Sequence, residues 1–492
     1  QERHAMSETT SQGCSPVKTS TRASRTAWLA AACAVGVYQL SITLLNMTVF
    51  PLFKPVFLEA RDVGTLSAAA LALALYALLS KHPQLCRPRT WMGVAAGCYL
   101  IGAPSIFLGI WLANPVLLTV GMLLRSVAST WFGTTILLQL TSLAIEQGAR
   151  RTFAALCTGW ALSYALELLV TALPLTVHLA VFFAAGFIIM MLTYRPSSML
   201  VSDMAQAAPI AELRVTNPRS FLPVGNALFV TLILLKASFG FAMTFSSVNA
   251  TPQTTVLACI PALVVACALL VCNRVGLDAL YKAAMICVLA GFLLVNPLID
   301  SLTSIPALSN VMLRAGSDLT RMLVFMIVAN LGARNPMAAT GVALFVGGAN
   351  SLGSVAGAQL GLLANDVLAR DPALFALLLA MIVFAFVAFN VLAPDVFNFD
   401  KTVREVEAVR PVKQTEQVDV LTQACKAAAA IYTLTPREAE ALELLAHGRN
   451  TAAIQERMVV SRSTAKTHVR NVYAKLGVHS QQDLIDLVEG LK

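Results

Sequence analysis

Apolar residues gather along the first four-fifths of the chain in runs of about twenty, separated by short polar segments. That length matches a helix crossing a bilayer. The runs fall near 28–50, 63–80, 91–112, 115–142, 152–172, 175–194, 221–245, 254–272, 283–299, 310–331, 337–363 and 373–393, which predicts twelve spanning helices. The fourth and eleventh runs are long, as tilted or broken helices are. The first run, Trp28 to Phe50, exceeds the about 7–15 apolar residues of a signal-peptide core. Past Pro394 the pattern changes to short amphipathic segments with mixed charge.

Composition agrees with this division. Hydrophobic residues are 57% and charged residues 12% of the 492. A soluble domain is about 25% charged, so a soluble enzyme is excluded, as is a disordered chain. Residues 401–492, by contrast, hold thirteen Lys/Arg and eleven Asp/Glu, a soluble balance. The expected domains are an N-terminal tail (1–27), a transmembrane domain (28–393, halves 28–194 and 221–393), a linker with a helix (394–433), and a small domain (434–492). Met6 is read as the natural start. Fifteen Lys/Arg lie on the side of the N-terminus, among them Arg25, Arg89 and Arg334, against Lys54, Arg61 and Arg370 opposite. By the positive-inside rule both termini are cytoplasmic in a multi-pass cell-membrane protein. The ten Cys form no CxxC pair and no zinc spacing, so no metal or cofactor is expected.

An internal repeat is visible. Met122-Leu-Leu-Arg-Ser around Arg125 and Val311-Met-Leu-Arg-Ala around Arg314 are 189 residues apart, and shifting the first six runs by that offset places most of them near the last six. Two six-helix halves in parallel repeat resemble the major facilitator superfamily. The loop after the second run departs from that family: Ser80-Lys-His-Pro-Gln-Leu-Cys-Arg-Pro-Arg keeps the basic residues and lacks the Gly and the acid.

Ionisable groups within the runs are costly and belong in the bundle interior or a wet cavity. They are Arg125, Glu167, Lys236, Arg314, Asp318 and Arg321. One reading is structural: Arg314 and Asp318, four apart, pair with each other. The other makes all six a ligand site. Arg125 and Arg314, equivalent in the repeat, would then face each other across a cavity, with Trp131, Trp160 and Tyr164 as aromatic walls. Such a cavity suits an anionic or polar small molecule, because guanidinium forks a carboxylate. Trp28, Trp91 and Trp111, at run ends, read as interfacial anchors.

The tail carries the most specific pattern. Val418 to Tyr432 predicts a linker helix. Leu434-Thr-Pro-Arg-Glu opens a helix with Thr435 as cap and Glu438 three residues on, a capping box. Leu442 and Leu445 give its buried face, and Gly448 stops it. A second helix runs over 451–458, capped by Asn450, with Val459-Val460-Ser461 as the turn. A third runs over 462–476, buried through Ala465, Val469, Val472 and Leu476, and ends at Gly477. A fourth follows Ser480 and carries Leu484, Ile485 and Leu487. Two short helices, a turn and a longer helix make a helix-turn-helix. Arg462, Lys466 and Arg470 lie four apart, with Thr464, Thr467, His468 and Asn471 beside them, and no acid occurs from Val459 to Gln482. That face suits a major groove of double-stranded DNA.

The ordered motifs Leu434-Thr-Pro-Arg-Glu, Gly448, Ile454, Ser461, Thr464-Ala-Lys-Thr-His and Lys475-Leu-Gly-Val resemble the LuxR-type DNA-binding domain over about 434–488. The resemblance implies dimeric binding to a two-fold site. It places Lys466, Thr467 and Arg470 in the groove, His468 near the backbone, and Leu484 and Leu487 at a dimer contact. Ala465, Gln455, Ala452 and Ala453 depart from the family's usual Val, Ala and Lys-Glu.

The expected fold is therefore all-α: a polytopic bundle and a four-helix DNA-binding domain. The expected function is a membrane-bound, one-component transcriptional regulator that senses a small molecule in its membrane domain. The alternative is an active transporter with a DNA-binding regulatory tail. No catalytic arrangement is legible, and no enzyme is expected.

Overall fold

In the computed structural model the described residues are 17–57, 59–206, 220–222, 226–244, 259–272, 276–294, 308–392, 398–408, 414–446, 451–458 and 460–490. Arg3, Met6, Arg214, Arg219, Arg274, Pro394, Gly448, Asn450 and Val459 lie outside them. The described chain is helical, and it forms two compact units, Gln1–Val409 and Arg410–Lys492.

Among the described residues, twelve helices of the first unit fall on the twelve expected spans. They are α1 (Val17–Leu44), α2 (Ala60–Lys81), α3 (Pro88–Trp111), α4 (Pro115–Gln147), α5 (Ala149–Thr171) and α6 (Leu175–Gln206). In the second half they are α7 (Ala227–Thr244), α8 (Cys259–Val271), α9 (Leu277–Leu293), α10 (Leu308–Arg334), α11 (Ala339–Arg370) and α12 (Pro372–Leu392). Among the described residues seven helices are long and apolar enough to cross a membrane by length and composition. Helix α10 has the length, 27 residues, but holds Arg314, Asp318 and Arg321.

Boundaries differ where polar residues continue a helix. Helix α1 starts at Val17, eleven positions before the apolar run, and ends in a π-helical turn, Leu45–Val49. Helix α6 continues past Arg195 to Gln206, so the first part of the expected loop between halves is helix with Pro196 inside it. A short helix, α13 (Phe399–Glu405), closes the unit.

Local chemistry sets the ends. Asn114 caps α4 by accepting from the Val116 and Leu117 amides at 3.0 Å each, with Pro115 in the first turn. Small residues set the close pairs: a Cβ on Gly353 of α11 would lie 2.6 Å from the Ile233 carbonyl oxygen of α7. Only a glycine there lets α7 run along α11. Helix α10 packs on α9 and α4 and is buried along almost its whole length.

The second unit has its own core. It comprises α14 (Gln414–Ile431), α15 (Pro436–Ala446), α16 (Thr451–Met458), α17 (Arg462–Leu476) and α18 (Gln481–Glu489). Ala428, Leu442, Leu445, Ile454, Ala465, Val472, Leu476, Leu484 and Val488 meet inside. The caps expected at Thr435 and Ser480 form, and Ser461, expected in the turn, caps α17. The Thr435 amide donates to the Glu438 carboxylate at 2.9 Å, and Ser461 accepts from the Thr464 amide at 3.2 Å. Ser480 and Asp483 make a capping box, and Gly477 ends α17 at φ 70°, a left-handed conformation that disfavours a Cβ.

Candidate nucleic-acid interface and membrane cavity

Helix α17 buries Ala465, Val472 and Leu476 and turns the opposite face outward. Arg462, Thr464, Lys466, Thr467 and Arg470 are exposed, while His468 and Asn471 are half-buried. The stripe of three cations therefore reaches solvent as the spacing requires. Thr467 donates its hydroxyl to the Ser463 carbonyl, and Ser461 shares hydrogen bonds with Ser463 and Thr464.

Asn471 has a partner within the unit. Its side chain hydrogen-bonds Glu438 of α15, which also accepts from Lys475 Nζ at 2.7 Å. Lys475 spends a second N–H on the Thr433 carbonyl at 3.1 Å. These donors hold the Glu438 carboxyl down at about 2. Glu438 is 4% exposed and ties α17 to α15, fixing the angle at which the cationic face is presented. Sequence reasoning treated Glu438 as a cap; its second role was marked by Lys475 one turn past Asn471 on the same face.

The fourth-helix expectation needs a correction. Leu484 is fully buried in the unit's own core against α14 and α15, so it is not free to face a second copy. Leu487 is half-buried against the same core.

The six intramembrane charges divide into two groups. Arg125, Lys236 and Arg321 line a cavity of about 310 Å³. Its walls come from α1, α2, α3, α4, α6, α7, α10 and α11, hence from both halves. Arg125 Nε is buried with no hydrogen-bond partner. Lys236 Nζ sits 3.9 Å from the centroid of the Phe239 ring, and the Arg321 guanidinium lies 5.1 Å from the same ring. Cation–π contact of this kind lowers the cost of burying each charge without neutralising it.

Glu167 and Arg314 form a separate buried ion pair. One guanidinium nitrogen of Arg314 donates to both Glu167 oxygens, at 3.0 and 2.9 Å. Asp318 instead accepts from Tyr164 Oη at 2.6 Å and from Gln39 Nε2 at 3.3 Å, and lies 4.0 Å from Arg321. Arg321 donates to Gln39 Oε1. The expected Arg314–Asp318 pair is therefore replaced by partners on α5 and α1. The expected facing of Arg125 and Arg314 across a cavity fails for the same reason, since the Glu167 carboxylate draws Arg314 away.

The aromatic walls also differ. Tyr38, Phe50, Tyr99, Phe132, Phe239 and Phe325 line the cavity. Trp160 is fully buried edge-on to Phe325, Trp131 is buried against Trp91 at 5.8 Å, and Tyr164 serves Asp318. Trp111 is 80% exposed at a helix end, while the Trp28 and Trp91 indoles donate to the Arg151 and Leu85 carbonyls. Sequence reasoning missed Gln39 and the Arg61–Asp62 pair, 3.0 Å apart, which also lines the cavity. A glutamine within the first apolar run was the available signal.

Residues 432–488 match the model of the family described as bacterial regulatory proteins, luxR family. The second unit thus contains a LuxR-type helix-turn-helix domain, joined in one chain to a membrane domain of apolar helices. No curated protein matches the chain. Among solved structures, the chain is similar to the human organic anion transporter MFSD10, at 15% identity, covering 73% of this chain and 99% of that one, TM-score 0.42. It is also similar to the nucleoside transporter NupG, at 14% identity, covering 76% and 99%, TM-score 0.35.

Proposed function

We propose that the protein is a membrane-bound, one-component transcriptional regulator, in which a small molecule held in the cavity sets the DNA-binding activity of the helix-turn-helix domain. The observation that carries this is the joining, in one chain, of an exposed Arg462–Lys466–Arg470 stripe to a membrane domain with a charged cavity. Both termini are cytoplasmic in this reading, as the Lys/Arg asymmetry requires, so the stripe has access to DNA. Lys466, Thr467 and Arg470 enter the groove, and Arg462, Thr464 and His468 contact the backbone. Asn471, half-buried beside the stripe, completes the set of DNA-contacting side chains. Two copies bind a two-fold site.

The ligand is anionic. Four cations line the cavity, Arg61, Arg125, Lys236 and Arg321. Asp62 answers Arg61, and Asp318 lies 4.0 Å from Arg321. Arg125 and Lys236 form no ion pair within 4.0 Å of a carboxylate among the described residues, and a buried cation without one gains from a ligand carboxylate or phosphate. A ligand changes the DNA-binding unit only through different affinity for two states of the protein.

The test is promoter occupancy in cells against ligand concentration, with Arg125→Ala as control. A response lost in that variant supports the reading; a response unchanged in it removes the cavity. A second reading, transport with a regulatory tail, draws on a cavity walled by both halves. Vesicle uptake separates the two, because a sensor binds without moving solute.

A further inference from the structure

Helix α10 carries the cavity's charge network at its middle and grips the end of the membrane unit at its C-terminus. At the middle, Arg321 lines the cavity and bonds Gln39, and Asp318 bonds Tyr164. Thirteen residues on, about 20 Å along the axis at 1.5 Å per residue, Arg334 donates to the carbonyls of Arg404 and Val406 at 3.1 and 2.9 Å. Those carbonyls belong to the end of α13 and the residues after it, the last described stretch before the chain passes to Arg410.

The short helix is held at three points. Asp278, at the start of α9, accepts from the Phe399 and Asp400 amides at 2.7 and 3.2 Å, and Asp400 accepts from the Asp278 amide at 3.3 Å. Phe399, Val403 and Val406 are buried, with the Phe399 ring 5.0 Å from Tyr281. Arg334 is the third hold. Beneath α13 lies a crevice of about 210 Å³ lined by Asn330, Arg334, Asp400 and Arg404, so the strap is pinned rather than packed dry along its length.

We infer that α13 is a strap through which α10 transmits the state of the cavity to the segment leading into the DNA-binding unit, with Arg334 as its coupling residue. The inference rests on the regulator reading and names how that site acts. Between Arg321 and Arg334 the helix is almost continuously buried, and at its end a Cβ on Gly332 would lie 2.6 Å from the Thr141 side chain. Close-packed helices shift as units between discrete arrangements rather than deforming smoothly. An anion that takes hydrogen bonds from Arg321 competes with Gln39 and Asp318, which biases α10, and Arg334 carries the bias to the strap.

Hydrogen–deuterium exchange of the full chain in lipid nanodiscs tests this with no ligand needed. Arg334→Gln removes two charge-assisted hydrogen bonds, so exchange over 402–408 rises about tenfold or more, while 436–446 is unchanged. Arg321→Gln, about 20 Å away along the helix, changes exchange in the same 402–408 peptide several-fold. If that variant fails to insert, Gln39→Leu replaces it with the same expectation, since it removes the neutral partner of Arg321. An unchanged 402–408 peptide in Arg334→Gln overturns the strap. A response to Arg334→Gln without one to the cavity variant overturns the coupling. Neither result depends on DNA binding, so failure of the regulator reading, read from promoter occupancy of the wild type, is a separate outcome.

Discussion

Replacing Glu438 by Gln removes the carboxylate that ties α17 to α15. The Glu438 carboxyl stands at about 2 in the folded unit against 4.5 as its ordinary value, mainly through the Lys475 hydrogen bond and the Thr435 amide. A folded value below the unfolded one means stability that is fully present above about pH 4.5 and is lost as pH falls through about 2. Two and a half units at 1.36 kcal/mol each is about 3 kcal/mol as an upper bound. The Lys475 side chain is 37% exposed, and solvent screening reduces this to about 2 kcal/mol. Urea unfolding of Arg410–Lys492, a compact unit with its own core, should show Glu438→Gln less stable by about that amount at neutral pH, with the gap closing between pH 4.5 and 2. Lys475→Met should cost a similar amount, and the double variant less than the sum, because both changes break one contact. A loss below about 0.5 kcal/mol at pH 7, the range of ordinary surface substitutions, would refute the clamp, as would a gap that does not change with pH.

The remaining predictions concern the stripe, the cavity and the packing. Lys466→Ala with Arg470→Ala should abolish promoter response while the protein still inserts; in gel-shift titrations each lost groove contact should cost about 1–3 kcal/mol of specific binding. Arg314→Ala leaves Glu167, 6% exposed, without its ion-pair partner and should destabilise the membrane unit by about 3–5 kcal/mol in detergent melts. Arg125→Ala, whose Nε has no partner, should melt like the wild type and lose the ligand response. Gly353→Ala should cost about 1–3 kcal/mol by forcing α7 and α11 apart, read as lower yield and melting temperature.

Local chemistry was legible in the sequence, and long-range pairing was not. The helices of the tail were readable because capping boxes, a Gly stop and a spacing of three and four each act within one or two turns. The apolar runs located twelve helices for the same reason, but not their polar extensions, since hydropathy is silent once α6 passes Arg195. The partner of Arg314 was misjudged because Asp318 is one turn away and Glu167 is 147 residues away, and only packing brings α5 to α10. Leu484 was placed outside because one amphipathic helix does not reveal which neighbour covers it; α14, a helix preceding the luxR-family match, helps do so.

The most direct test of the central claim is the genomic footprint of the full-length, membrane-inserted protein by crosslinking and sequencing, beside the Lys466→Ala, Arg470→Ala double variant. The account predicts a few sharp, two-fold sites for the wild type and none for the variant. An empty or diffuse footprint from an intact protein, or one that the double variant retains, would contradict it.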